Sequence, residues 1–281
     1  MTAPPGRLYV VATPIGNLGD LSPRAVEVLR AVDLVACEDT RHTRKLLAHF
    51  QIRVPTLSCH EHNEVDRIPR LLAELQAGHS VALVADAGTP LLSDPGYRLV
   101  RAARDAGLPV IPIPGPFAAA AAVSVAGLPT DRVLFAGFPP DRAAARQRWF
   151  QELACEQATL VIYLSPHRLL QTLQDALSRL GPRRVLLARE MTKIHEEHWV
   201  GRLDELVRSL AGVDPRGEYT LVIEGAEGPA GRIPSRLDVE AYIRGLMELH
   251  GLTRSQAARR AASDLQLPRR KLYQGETTAG E

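Results

Sequence analysis

Two α/β domains followed by a small helical tail are the architecture this sequence predicts, and three observations predict it. Short apolar runs alternate with amphipathic stretches along most of the chain. Several of those runs stop abruptly in turns crowded with Asp, Gly, Thr and Pro, and beyond residue 235 the composition turns polar, arginine-rich and helix-periodic. Alternation of this kind implies mostly parallel sheet, which keeps ligands in the crevice outside the carboxyl ends of its strands. At 281 residues and 45% hydrophobic, the chain is long and apolar enough for two modest cores rather than a disordered polymer.

Leu8 to Ala12 reads as the first strand, and Ser22-Pro23 opens a helix with Ala25, Leu29 and Val32 on one face. A second strand, Leu34 to Cys37, ends in the polar turn Glu38-Asp39-Thr40. A helix carrying Leu46, Leu47 and Phe50 leads from there to a short strand at Thr56 to Cys59. The next helix has Ile68, Leu71, Leu72 and Leu75 as its core stripe and ends near Gly78. Val81 to Ala85 is apolar throughout, the pattern of a strand buried on both faces. Asp86, Gly88, Thr89 and Asp94 fall beyond its end; Asp94 is expected to cap the following helix, with Pro95 in its first position and Ser93 to Gly96 as its anchor.

Pro109 to Pro116 holds a short strand and a rigid turn, after which Ala118 to Ala126 reads as a helix ended by Gly127. The domain junction is placed here, giving an N-terminal α/β domain over 1–116 and a second over 117–230. The second has strands at Val133 to Ala136, Thr159 to Leu164, Arg184 to Ala188, around His198 to Val200, and Tyr219 to Glu224. A linker at Gly228 to Ser235 leads to a helical tail over 235–276, where Leu252 to Tyr273 has the outline of a helix-turn-helix.

Formal net charge is only +2, yet the basic residues cluster: Arg41, Arg44 and Lys45; Arg142, Arg146 and Arg148; and Arg254, Arg259, Arg260, Arg269, Arg270 and Lys271 in the tail. Local patches of this kind can bind phosphate on a nearly neutral chain, and they also suit an ordinary solvated face. Cys37, Cys59 and Cys155 are odd in number and lie in or beside apolar segments, which argues for buried thiols in a reducing compartment. The N-terminus has no apolar signal core and Phe117 to Ala126 is too short to span a bilayer, so a soluble, cytoplasmic protein without a membrane partner is expected.

Thr13 to Asp20, T-P-I-G-N-L-G-D, follows the first strand with glycines only at 16 and 19, which disfavours the G-x-G-x-x-G of a nicotinamide fold. Glu38 to Thr43, E-D-T-R-H-T, packs two carboxylates, a guanidinium and an imidazole into one turn. Such a set can orient a hydroxyl, accept its proton and hold a phosphate, although acidic residues at a helix start also suit the helix dipole. Cys59 to Asn63, C-H-E-H-N, places a third polar cluster at a third strand end. His60 and His62 lack a metal-site spacing, so no metal is expected. No G-x-S-x-G or Walker-type loop supports a serine hydrolase or an NTPase. In the second half Tyr163 to Arg168, Leu187 to Lys193 and Arg216 to Glu218 repeat the strand-end theme, and helix capping with surface ion pairs accounts for them equally well.

Taken together, T-P-I-G-N-L-G-D, E-D-T-R-H-T, H-E-H-N-E, A-D-A-G-T-P-L-L-S-D-P-G and I-P-G-P resemble the tetrapyrrole methylase superfamily, and within it the ribosomal RNA small subunit methyltransferase I branch. The likeness runs from about Leu8 to Gly225 and continues in Y-L-S-P-H-R and L-A-R-E-M-T-K. It implies an S-adenosylmethionine-dependent enzyme with its cofactor cleft between two α/β domains. It implies methylation of the ribose 2′-hydroxyl of a cytidine in the decoding region of small-subunit RNA, free or in the 30S particle, by a homodimer. By motif position the cofactor would meet Ile15, Asp86, Ala87, Gly88, Thr89, Phe117, Ala118, Leu164, Glu190 and Thr220. Glu38, Asp39 and His42 become the candidate bases and Arg41 a phosphate clamp. Arg44, Lys45, His60, His62, Asn63, Arg142, Arg146, Arg148 and Arg168 would join Arg41 on the RNA. Three positions depart from the branch pattern: Ala85 stands for a serine, Phe117 for a small residue and Leu164 for a glutamate. Leu164 is read as an adenine-packing residue. Two rivals remain: a tetrapyrrole C-methylase of the same fold, and a non-catalytic RNA-binding or ribosome-assembly module.

Overall fold

A computed structural model describes residues 5–227 and 236–264. Its backbone forms two compact units, which among the described residues are 5–154 with 158–224, and 155–157 with 225–227 and 236–264.

The larger unit holds two five-stranded sheets. The first contains β1 (Leu8–Val11), β2 (Leu34–Cys37), β3 (Thr56–Ser58), β4 (Val81–Val84) and β5 (Val110–Ile113), in the order β3-β2-β4-β1-β5 with every pairing parallel. β2 and β4 are buried along their whole length, as strands covered on both faces must be. The covering helices are α1 (Pro23–Ala31), α2 (Thr40–His49), α3 (Glu64–Gln76) and α4 (Tyr97–Asp105). Ala25 and Leu29 of α1 and Leu46 and Leu47 of α2 pack over one face; Leu71 and Leu75 of α3 and Leu99 of α4 pack over the other. The start signals act as read for α1, where Ser22 accepts the Ala25 amide at 3.1 Å ahead of Pro23.

The start of α4 departs from the expectation. It begins at Tyr97 after Gly96, whose φ of 121° no L side chain adopts easily, so Asp94 does not cap it and Pro95 lies outside it. The Leu99 amide, which a capping side chain would have taken, donates instead to the buried Glu64 of α3 at 3.0 Å. Asp94 is thereby left free of helix duty.

The second sheet is mixed. It contains β6 (Val133–Gly137), β7 (Thr159–Leu164), β8 (Arg184–Arg189), β9 (Glu197–Arg202) and β10 (Tyr219–Ile223), in the order β6-β7-β10-β8-β9. Only β6 and β7 pair in parallel; β10 runs antiparallel to β7 and β8, and β9 antiparallel to β8. One face is covered by α5 (Ala118–Ala126), whose Ala119, Ala122 and Ala126 let it lie close on Val161, Leu186 and Val222 and which Gly127 ends in the left-handed region. The other is covered by α6 (Ala143–Glu152), α7 (Leu169–Leu180) and α8 (Leu203–Ser209), with Phe150, Leu173 and Leu206 wholly buried.

In the smaller unit α9 (Arg236–His250) packs on α10 (Arg254–Asp264) through Ile243, Leu246, Ala257 and Ala261. The rest of the predicted tail, with Arg269, Arg270 and Lys271, and the linker at Gly228 to Ser235 lie outside the described residues. Cys37 and Cys59 are buried, but Cys155 is exposed, contrary to the reading of all three as interior thiols. Among the described residues no helix is long and apolar enough to cross a membrane.

Candidate active site

Three turns of the first sheet are laced together at the carboxyl ends of β1, β4 and β5. Thr13 and Gly88 exchange backbone hydrogen bonds at 2.9 and 3.1 Å, and the buried Thr13 hydroxyl donates to the Ala85 carbonyl at 3.1 Å. Thr89 Oγ1 donates to the Pro116 carbonyl at 3.0 Å. Gly88 has φ +81°, a conformation that L side chains rarely adopt, so the turn needs its glycine for conformation. After this lacing the chain makes a tight excursion. Leu91 and Ser93 take φ of 74° and 70°, which is costly for residues with side chains, and Gly96 completes the reversal into α4.

From the second sheet come the end of β7, the start of β10 and an aromatic row. Register sets Tyr219 beside Leu164, so residues from two distant stretches meet at one edge. Phe117 stacks edge-on against Phe135 at 5.3 Å between ring centres and Phe135 edge-on against Tyr163 at 5.0 Å, while Tyr163 meets Phe138 at a tilt at 5.3 Å. A register shift between Phe135 and Gly137, with Gly137 at φ +69°, swings Phe138 out of the strand and leaves it 58% exposed.

These pieces enclose a cleft of about 410 Å³. Ile15, Asp86, Ala87, Gly88, Thr89, Phe117, Ala118, Leu164 and Thr220 all line it, and with them Asp94, Tyr163, Ser165, Pro166 and Glu218 from strand-end turns and Leu92, Ser93, Phe138 and Tyr219, none of which sequence reasoning assigns to the cofactor. The lining carries three carboxylates, Asp86, Asp94 and Glu218, and no Lys, Arg or His. Glu218 is paired with Lys193 from behind the wall at 3.1 Å, which leaves Asp86 and Asp94 without a cation among the described residues, and their charge favours a cationic ligand over a phosphate. Burial, followed by the charges of Glu38 and Asp86, lifts the Asp94 carboxyl to about 6. Burial, with Asp86 next, also raises Glu38. Tyr163 is lifted to about 12, chiefly by burial.

The description of the matching family model is Tetrapyrrole (Corrin/Porphyrin) Methylases, and it covers residues 7–207. The chain is 52% identical to ribosomal RNA small subunit methyltransferase I of Synechocystis over 96% of both chains. The chain belongs to that methyltransferase I family. Its fold is shared more widely. Diphthine synthase matches 78% of this chain and 90% of its own, with a TM-score of 0.58 at 16% identity. A uroporphyrin-III C-methyltransferase of Thermus thermophilus, complexed with S-adenyl homocysteine, matches 78% of this chain and 97% of its own, with a TM-score of 0.53 at 22% identity.

Other residues singled out for their resemblance to the methyltransferase I branch lie around the cleft rather than on its wall. Glu38, Asp39, Arg41 and His42 are not among the lining residues; they border it through Asp86, whose Oδ1 accepts the Asp39 amide at 3.1 Å. Asp39 caps α2 and grips the Arg41 guanidinium at 2.7 Å, and that ion pair holds its carboxyl well below the usual carboxylate range, a poor setting for a base. Arg41, 86% exposed, His42, Arg44 and Lys45 present a basic face on the same helix. His60 Nε2 meets Asn63 Nδ2 at 3.0 Å, while its buried Nδ1 has no partner among the described residues; His62 is exposed nearby.

Two assignments change. Arg146, expected on the surface beside Arg142 and Arg148, points inward: it pairs with Asp175 at 2.7 Å with only 4% of its side chain exposed, and also donates to the Asp141 carbonyl. Glu190, expected on the wall, stands behind it, accepting the Glu218 amide at 2.8 Å and Lys193 Nζ at 2.9 Å. It braces the strand start from which Glu218 to Thr220 reach the cleft. Arg142 and Arg148 are exposed, and Arg168 is half-buried in a 2.6 Å pair with Asp141.

Proposed function

We propose that this chain transfers a methyl group from S-adenosylmethionine to the ribose 2′-hydroxyl of a cytidine in the decoding region of small-subunit ribosomal RNA, working as a cytoplasmic homodimer. The observation that carries the reading is the near full-length likeness to ribosomal RNA small subunit methyltransferase I. The cleft is chemically consistent with it. Apolar Ile15, Phe117 and Leu164 suit an adenine, the tight turn at Gly88 brings backbone close to a ligand, and the anionic lining suits a donor with a sulfonium and an ammonium group.

The bound donor supplies a methyl group already activated by positive charge. The chain therefore has to align the acceptor, exclude water and take up the hydroxyl proton. Ala87 to Thr89, Phe117, Ala118 and Thr220 hold the donor. Arg41, with Arg44 and Lys45 on α2, meets the RNA backbone, and Phe138 offers an exposed ring at the cleft against which an unstacked base can lie. His60, Asn63, Arg142 and Arg148 extend the polar and basic border.

The test supplies labelled S-adenosylmethionine with unmodified small subunits or naked RNA and locates the modified nucleotide by its resistance to alkaline cleavage. Label at one ribose of the decoding region is the expected result. Label in a tetrapyrrole and none in RNA overturns the reading, as does failure to bind the donor. Changing Arg41 to Ala is expected to abolish transfer with donor affinity nearly intact; wild-type turnover removes it from the mechanism. Sedimentation of the full chain at the mass of two copies is expected, and a monomer active at the same concentration contradicts the assembly.

A further inference from the structure

We propose that α10 is an RNA-binding element in its own right, its exposed arginines lying on the phosphodiester backbone of small-subunit RNA. The inference rests on the RNA reading above and adds a surface that holds the substrate, since none of its residues lines the cleft.

Positive charge concentrates in this part of the sequence. Between Arg254 and Lys271 fall six basic residues and one acidic residue, Asp264, in a chain otherwise close to balance at 34 basic against 32 acidic. Arg269, Arg270 and Lys271 lie outside the described residues; Arg254, Arg259 and Arg260 belong to α10, and all three are exposed. The element that carries them is a helix, a short turn and a helix. α9 ends at His250, Gly251 turns the chain at φ +60°, and α10 begins at Arg254. Its start is fixed from both sides: the Thr253 amide donates to Gln256 Oε1 at 2.9 Å and the Gln256 amide to Thr253 Oγ1 at 3.4 Å.

The two faces of α10 divide by chemistry. Ala257, Ala258 and Ala261 form the buried stripe against Ile243 and Leu246 of α9, and Gln256, Arg259 and Arg260 are exposed on the side away from it. Alanines bury the inner face without help from arginine stems, so packing does not require the arginines. Nor do they neutralise acidic neighbours along the helix, because α10 has no Asp or Glu before its last residue. α9 shows how an ordinary solvated face is written in the same unit: Glu240, Arg244 and Glu248 follow one another four residues apart with alternating sign. On α10 the sign does not alternate. Like charges held together repel one another, and a polyanion laid across them relieves that repulsion.

RNA is the polyanion that the rest of the molecule requires. Asp86 and Asp94 make the cleft wall a poor holder of phosphate, so affinity for a nucleic acid has to come from basic surface beyond the wall. The face of α2 supplies one such surface, and α10 supplies another. Arginine suits the task, because its planar fork can give two hydrogen bonds to one phosphate.

The experiment compares three full chains: wild type, Arg254→Gln with Arg259→Gln, and Arg254→Lys with Arg259→Lys. Glutamine preserves helix propensity, and circular dichroism checks the fold. Binding to naked small-subunit RNA is measured by filter retention from about 50 to 200 mM salt. Methyl transfer to that RNA and to assembled subunits, and S-adenosylhomocysteine binding by calorimetry, are measured alongside. The glutamine pair is expected to bind RNA with a log–log salt slope shallower by roughly 1.4–1.8, two phosphate contacts at about 0.7–0.9 each. Its KM for RNA is expected to rise roughly tenfold, with kcat within about twofold of wild type and S-adenosylhomocysteine affinity unchanged. The lysine pair is expected to keep the wild-type slope. If the glutamine pair loses helical signal, each single glutamine variant is expected to lower the slope by about 0.7–0.9. A wild-type slope in the glutamine variants overturns the inference; if transfer to assembled subunits nevertheless falls, α10 contacts a protein of the particle. Loss of kcat or of S-adenosylhomocysteine affinity at unchanged slope overturns it as well. A wild-type chain that labels no RNA defeats the functional reading alone, because the salt slope still reports the contact.

Discussion

In the first sheet all five strands run the same way, so every carboxyl end opens on one edge, whereas in the second sheet β9 and β10 run against β6, β7 and β8. The first sheet accordingly contributes to the cleft and its border in contiguous motifs: Thr13 to Ile15, Glu38 and Asp39, and Asp86 to Thr89. The second contributes pieces far apart in the chain, Tyr163 to Pro166 from the end of one strand and Glu218 to Thr220 from the start of its antiparallel partner. The parallel sheet concentrates chemistry, and the mixed sheet closes over it with a buried frame that must stay rigid. Charge follows the same division. On the first sheet's side carboxylates are left at the cleft without cations, while in the second Arg146 and Asp175 neutralise each other under the surface.

The sharpest way to break this contrast is at Arg146. Removing one partner of a buried pair strands the other charge, so Arg146→Ala is expected to cost roughly 3–5 kcal/mol in urea denaturation. Replacing Arg146 by Met together with Asp175 by Leu is expected to cost much less. Arg142→Ala and Arg148→Ala are expected to weaken RNA binding with stability unchanged. If Arg146→Ala unfolds at the wild-type urea concentration and loses only RNA affinity, the arginine belongs to the surface patch after all. The opposite behaviour is expected of Asp86, which joins the Glu38 turn to the cleft through the Asp39 amide. Asp86→Ala is expected to lower kcat/KM roughly 100-fold, the scale of a small misplacement near reacting atoms, with little change in melting temperature. Equal losses of stability and activity would make Asp86 part of the frame.

The same contrast explains what could be read before any coordinates. Parallel strands ending in polar turns are a local signal, and it marks Asp86, Gly88 and Thr89 beyond β4; Ile15, Ala87, Phe117, Ala118, Leu164 and Thr220, which also line the cleft, are reached only through the resemblance of the motifs that hold them. Asp-Pro-Gly before an amphipathic stretch is the pattern of a capped helix start, which is why Asp94 reads as a cap; only Glu64, thirty-five positions from Leu99, shows that the Leu99 amide is satisfied from elsewhere. The partner of Arg146, Asp175, lies on α7, and no local pattern distinguishes an inward arginine from its exposed neighbours. Phe138 is visible only through the irregular end of β6. Glu190 lies behind the wall, holding the Glu218 amide, and no local pattern separates that position from the wall itself.

Phe138 gives a smaller and more selective test. An aromatic ring stacked on a base is worth about 1–3 kcal/mol, so Phe138→Ala is expected to raise the KM for RNA roughly tenfold, with S-adenosylhomocysteine affinity unaffected. Phe138→Tyr is expected to retain near wild-type KM. An alanine variant that instead loses S-adenosylhomocysteine would move the ring to the donor side of the cleft.

The smallest effect is the one that separates a working residue from a structural one most cleanly. The Asp94 carboxyl rises from 3.8 to about 6 on folding, with burial as the first cause. Between those values the folded protein keeps a proton that the unfolded chain has released. The stabilisation from this group is therefore fully present below about pH 4 and is lost as pH rises through 6. The full shift corresponds to ~3 kcal/mol, and partial exposure reduces that to about 1 kcal/mol. Glu38, raised for the same first reason, acts in the same direction. Asp94→Asn removes the charge without changing shape, so the variant is expected to be about 1 kcal/mol more stable than wild type at pH 7.5 and equal to it near pH 4, by urea midpoints at each pH. A less stable variant at pH 7.5 would mean that the carboxylate holds the loop together.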